Sequence, residues 1–260
     1  MMRHTSYAML LALVSLNAWA TNEADRGLEI ARAADAEHSG FGDSQARMTM
    51  TLINQAGDQV VRELRVSTLE GQDEGNKRMT VFDLPHDVRG TALLTWSYKY
   101  EDDDQWLYLP ALRRVKTIAS SNKSGAFMGS EFSFEDMSTQ EVEKYTYHYL
   151  RDEACGSLTC YVVERYPVDE NSGYTKQVVW LDTEHYRVQK VHYYNRTDAL
   201  FKTLRVSDWQ LHDGEYWRAG HMEMTNHISG KRTELQWADY QFGVGLTDAD
   251  FTQNGLKRAW

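Results

Sequence analysis

The chain has 260 residues, 42% hydrophobic and 25% charged, with 28 basic against 38 acidic side chains and a formal charge of −10. So acidic a balance argues against nucleic-acid partners and against long-range attraction to anionic lipid surfaces. With three prolines and no break in its periodic pattern, residues 21–260 read as one domain behind a leader, residues 1–20.

The leader comes first. Arg3 precedes an apolar run over residues 7–16, followed by Ala18, Trp19 and Ala20. A basic start, a short apolar core and small residues before the cut make an export signal, with cleavage after Ala20. The run is about half of the roughly 20 apolar residues needed to cross a bilayer, so it is not read as an anchor. No cysteine follows it to accept a bacterial lipid anchor. The expected compartment is therefore the periplasm. Cleavage removes Arg3, leaving 27 basic against 38 acidic residues and a formal charge of −11.

Asn22 then offers a helix cap, with Asp25 in the first turn. Ala24, Leu28, Ala31 and Asp35 share a face, with Gly27 and Ala34 beside them. Such a narrow stripe of small residues suits a helix lying close on a sheet. Gly40, Phe41 and Gly42 end it.

Strands follow. Residues 47–54 set Met48, Met50 and Leu52 against Arg47, Thr49 and Thr51, and residues 60–69 set Leu64 and Val66 against Arg65. Segments 79–84, 91–98 and 105–118 complete the first half of the chain. Within the last of these, residues 106–112 are nearly all apolar, so this strand should be covered on both faces. The chain then turns basic at Arg113, Arg114 and Lys116, runs through a polar loop, and returns with Phe132, Phe134, Glu135 and Asp136. Strands near 144–150, 158–168, 174–181, 186–194, 200–211, 216–226 and 232–242 make the second half. Cys155 and Cys160, the only cysteines, flank Gly-Ser-Leu-Thr and read as a disulfide across a hairpin in an exported chain.

Turn signals every ten residues or so favour a mainly β, antiparallel meander. A sheet of about eleven long strands curls. Its interior is wider than its own side chains fill, so it either binds something or takes a plug. The expected architecture is an unclosed half-barrel, with the N-terminal helix and a lid over residues 120–137 covering a cavity.

Two blocks carry a family resemblance: W-x-Y-L-P-A-L-R-R-V at residues 106–115 and F-M-G-S-x-F-S-F-E-D at residues 127–136. With them, the chain resembles the LolA-like outer-membrane lipoprotein-sorting protein family of periplasmic carriers. The resemblance implies an unclosed barrel covered by helices. It also implies a lipid or lipidated ligand and an inner-membrane transporter of the resistance-nodulation-division type as partner.

The expected cavity lining is Met48, Met50, Leu52, Leu64, Val66, Met79, Trp96, Trp106, Tyr108, Phe127, Met128, Phe132 and Phe134. Methionine is flexible and polarisable, which suits variable apolar ligands; a filled core is the competing reading. Phe127 and Met128 sit at the tip of the glycine-containing lid. Arg113 and Arg114, with Lys116, have two readings. One is an ion pair with Glu131, Glu135 or Asp136 that pins the lid, placed first. The other is an anchor for a lipid phosphate or carboxylate, where arginine binds bidentately.

No motif for catalysis stands out: there is no G-x-S-x-G elbow, H-E-x-x-H helix or phosphate-binding glycine loop. His185 and His192 point to opposite faces of a strand, and His221 and His227 lie ~20 Å apart at ~3.3 Å per residue, so no metal site is expected. Glu135 and Asp136 are adjacent and lack a nucleophile. The sequence therefore reads as a monomeric carrier or chaperone without cofactor or chemistry. The alternative is a docking or assembly module with a filled core.

Overall fold

The computed structural model describes residues 8–71 and 75–258, with side chains from residue 22 onward. The signal and its cleavage after Ala20 fall on residues whose side chains lie outside the described ones. Helix α1 (Ala8–His38) runs straight through Asn22, so no cap forms there in the uncleaved chain. Among the described residues no helix is long and apolar enough to cross a membrane.

Among the described residues, thirteen strands follow in one antiparallel sheet that does not close. The first half holds β1 (Asp43–Ile53), β2 (Gln59–Leu69), β3 (Lys77–Leu84), β4 (Ala92–Trp96), β5 (Asp104–Leu109) and β6 (Arg114–Ile118). The second holds β7 (Tyr145–Cys155), β8 (Leu158–Pro167), β9 (Tyr174–Asp182), β10 (Val188–Asn195), β11 (Leu200–His212), β12 (Tyr216–Asn226) and β13 (Arg232–Phe242). Each half is a meander of hairpins, and β1 pairs with β13 to join them. The free edges are consequently β6 and β7, which are consecutive in the chain. The segment linking them has to cross the open side of the curl.

The single strand expected over 105–118 is a hairpin. Pro110 has no N–H to continue a ladder, and a 3-10 turn at Pro110–Leu112 ends with Arg113 in the left-handed region at φ 47°. The backbone N–H of Arg113 donates to the Pro110 carbonyl at 3.0 Å, and β5 and β6 then pair from Leu109 opposite Arg114. Both faces of β5 are covered, as its apolar run requires. Leu107 joins the inner core, while Tyr108 and Trp106 join a second cluster on the opposite face.

That second cluster is capped by the C-terminal segment ending in the short helix α2 (Gln253–Leu256). Phe251 and Leu256 are fully buried against Met79, Val81, Ala92, Leu94 and Tyr108. The Trp96 indole N–H donates to the Phe251 carbonyl at 2.8 Å and fixes the cap in place. Cys155 and Cys160 are disulfide-bonded across the β7–β8 hairpin, with Cα atoms 5.9 Å apart.

Candidate ligand-binding cavity

Helix α1 lies along edge strand β7. A Cβ on Gly27 would sit 2.9 Å from the Tyr149 amide nitrogen and 3.0 Å from that of His148. Only glycine permits this approach, which brings Ala31, Ala34, Asp35 and His38 over the interior. His38 is held there by its Nε2, 3.3 Å from the Tyr186 carbonyl, and stacks near Trp209 with ring centroids 6.1 Å apart.

The segment between β6 and β7 is pinned on several strands at once. The Glu131 N–H donates to Thr233 Oγ1 on β13 at 2.9 Å, and Asn226 Nδ2 on β12 donates to Glu131 Oε2 at 2.7 Å. Gln105 Nε2 on β5 donates to the Phe134 carbonyl at 2.9 Å. The Tyr174 hydroxyl on β9 donates to Asp136 at 2.9 Å. Glu135 is buried and accepts from Ser172 Oγ and, at 2.9 Å, from the Gly173 N–H. Burial raises its carboxyl above the usual range despite those two donors.

Beneath helix and crossing segment remains a cavity of ≈ 520 Å³. Its wall is mostly apolar, built from Met48, Val66, Val163, Val179, Leu181, Val191 and Leu235, with Phe132 and Met137 from the crossing segment. A few polar groups break that surface: Arg78, Arg165, Arg218, Asp35, His38 and Tyr240. Arg165 donates to Gln177 Oε1 at 2.8 Å through Nε. Arg218 donates to the Trp217 carbonyl at 2.8 Å and lies over Phe41 and Phe242, 4.8 and 5.2 Å from the ring centroids. Burial lowers the pKa of Arg78, Arg218 and His38, and it pushes Tyr240 up to about 12. Among the described residues no cluster of His, Cys, Asp and Glu is arranged to hold a metal.

Of the expected lining, Met48, Val66 and Phe132 border this cavity. Met50, Leu64 and Phe127 lie in the same core with Leu52, Met128 and Phe134, where the crossing segment packs on the sheet, and do not border the cavity. Phe127 is fully buried between Phe82 and Phe134, each with its ring centroid 5.7 Å away. Met128 is half-buried, and its carbonyl accepts from Arg62 Nη1 at 2.6 Å. The expected mobile tip over a mouth is thus packed core. Met79, Trp96, Trp106 and Tyr108 stand on the opposite face, under the C-terminal cap. The expected ion pair of Arg113, Arg114 or Lys116 with Glu131, Glu135 or Asp136 does not form. Arg113, Arg114 and Lys116 are exposed at or after the β5–β6 turn, while the three carboxylates face inward onto hydroxyls and amides. None of the three cations borders the cavity.

Arg78, Arg218, Trp209, Trp237 and Tyr240 were missed because apolar alternation selects the wrong parity where a cavity is partly polar. The one available signal was Arg78 itself, set beside a strand covered on its other face.

A family model described as an uncharacterized protein matches residues 74–258. Among solved structures, a domain named for outer-membrane lipoprotein sorting, from Vibrio parahaemolyticus, is similar at 51% identity with a TM-score of 0.89. The match covers 90% of this chain and 100% of that one. A DUF1329 family protein from Desulfovibrio piger is similar at 30% identity and TM-score 0.85, over 90% of this chain and 99% of that one. A LolA superfamily protein from Nitrosomonas europaea shares the fold at 20% identity and TM-score 0.71, over 87% and 97%. No curated protein matches the chain.

Proposed function

Because the chain belongs to the LolA-like outer-membrane lipoprotein-sorting protein family, we propose that it is a periplasmic carrier that shields a lipid or lipidated molecule inside its half-barrel. The observation that carries this reading is the ≈ 520 Å³ apolar cavity left between sheet, helix and crossing segment. Its size falls in the ~300–1,000 Å³ range of small-molecule pockets. Each methylene moved from water into such a wall contributes about 0.8 kcal/mol, so binding needs no chemistry. A docking module with a filled core would have no such gap between its packed elements, because protein interiors otherwise pack to crystal-like density.

The export-like leader supports the periplasm as the compartment, and the disulfide agrees with an oxidising one. We extend the proposal to release at a membrane partner, an inner-membrane transporter of the resistance-nodulation-division type. Support for that partner comes from the two sequence blocks alone.

The test is native mass spectrometry of the protein purified from the periplasm, followed by titration with a fluorescent fatty-acyl probe. The expected outcome is co-purifying lipid and saturable uptake without turnover. Failure to bind any of a phospholipid, fatty acid, sterol or lipopeptide would return the protein to the docking reading. Cleavage of a probe would make it an enzyme.

A further inference from the structure

The inner wall grades from polar to apolar along the strands. Ser44, Thr68, Arg78 and Thr95 stand opposite one another in one row across β1 to β4. Farther along the same face Met48 pairs with Leu64, which pairs with Phe82. The other half of the sheet continues in the same register. Ser44 faces Phe242 and Met50 faces Leu235, which in turn faces Met222. Four residues before Met222, Arg218 therefore stands at the Ser44 end, with Arg78. Both guanidiniums border the cavity, both feel Tyr240, and Arg78 also feels the charge of Arg218.

The cations at this end have no carboxylate set against them, although Asp35 stands on the same cavity wall. Among the described residues, no carboxylate lies within 4.0 Å of either arginine. Arg78 Nε and the indole nitrogens of Trp209 and Trp237 are sealed from solvent without a partner. Glu70, the carboxylate nearest in charge to Arg218, is already held by the N–H groups of Gly40 and Gly42 at 2.7 and 2.8 Å. Arginine does not shed its proton in proteins, and a buried charge without a partner is costly. In a chain with 38 acidic residues, partners were not scarce.

We propose that the Arg78–Arg218 end of the cavity receives the anionic head, phosphate or carboxylate, of an amphiphile whose chain lies along Met48, Val66, Val179 and Leu235. This rests on the carrier reading and specifies its ligand class. Paired guanidiniums favour such oxygens because they offer several charge-assisted hydrogen bonds in a fixed plane.

The experiment is displacement of the neutral fluorophore N-phenyl-1-naphthylamine from the full protein by dodecyl phosphate, dodecanoate, dodecanol and inorganic phosphate. Wild type should prefer the two anionic amphiphiles over dodecanol by about tenfold or more, the scale of hydrogen bonds to charged groups. Arg78→Gln and Arg218→Gln should each erase most of that preference, weakening the two anionic amphiphiles far more than dodecanol. Equal affinity for anionic and neutral chains, or variants that keep the preference, would overturn the head site while leaving the carrier intact. Inorganic phosphate competing as well as dodecyl phosphate would make this a free-anion site. A fluorophore that never binds would overturn carrier and head site together. Arg218 also packs on Phe41 and Phe242, so if R218Q unfolds, R78Q decides. Loss of an unpaired cation should leave the ligand-free melting temperature of R78Q unchanged or raised.

Discussion

At the scale of single residues, Phe127 and His38 make opposite kinds of contribution. Phe127 is enclosed by Phe82 and Phe134 and exposes nothing to solvent. Phe127→Ala should therefore cost about 3–5 kcal/mol, the range for emptying an aromatic core position, read as a lower urea midpoint. A near-neutral result with weakened ligand binding would instead make it a movable tip. His38 is tuned by burial, which lowers its pKa, with Arg218 adding to the effect. The folded state thus prefers neutral imidazole. Its contribution is complete above the ordinary histidine value of about 6.5 and is lost as pH falls through the lowered folded value. Urea unfolding at pH 7.5 and pH 5 should show a larger acid loss in wild type than in His38→Gln. Identical losses would remove His38 from the helix clasp.

At the scale of elements, the close fit of α1 on β7 depends on one missing side chain. Gly27→Val would drive a branched Cβ into the backbone of His148 and Tyr149. The expected cost is about 1–3 kcal/mol, typical of overpacking where the neighbours cannot yield. Thermal melts should fall, and cavity binding should weaken with them; an unchanged melt would mean that the helix does not rest there. Elements were also where the sequence was most legible. The small-residue stripe at Gly27, Ala31 and Ala34 gave the helix and its close seat. Period-two alternation gave nearly every strand, and Met48 and Val66 took the right face. Strand β3 defeated the same rule. Its apolar face, Met79 and Val81, is buried under the C-terminal cap, while Arg78, Thr80 and Phe82 turn inward. Hydrophobicity marks what is covered, and β3 is covered on both sides. Only the tertiary position of residues 246–256 tells which side holds the cavity. Trp96, Trp106 and Tyr108 stand on the capped face for that same reason.

At the scale of the molecule, the two halves of the chain meet at β1 and β13 and part at β6 and β7. The crossing segment is tethered to both free edges and hydrogen-bonded to strands between them. It cannot swing on one hinge, so opening the cavity requires the curl itself to spread or α1 to lift. The sheet is also less continuous than its strand count implies. Strand β12 pairs with β13 only over His221–Thr225, opposite Arg232–Gln236, leaving residues 216–220 unpaired on that side. An unclosed sheet normally invites a second copy to add its own strands, because each edge offers a row of unused amides and carbonyls. Here one edge, β7, lies beneath a helix. The other, β6, is five residues long and exposes Arg114 and Lys116 to solvent. The basic cluster, which forms no clasp and does not border the cavity, is expected to act there as a guard against self-assembly. Replacing Arg114 and Lys116 by valine should turn β6 into a sticky apolar ribbon, and light scattering should then report concentration-dependent polymers that wild type does not form. A vessel that must stay open along one side can persist in a crowded compartment only if its rims repel their own kind.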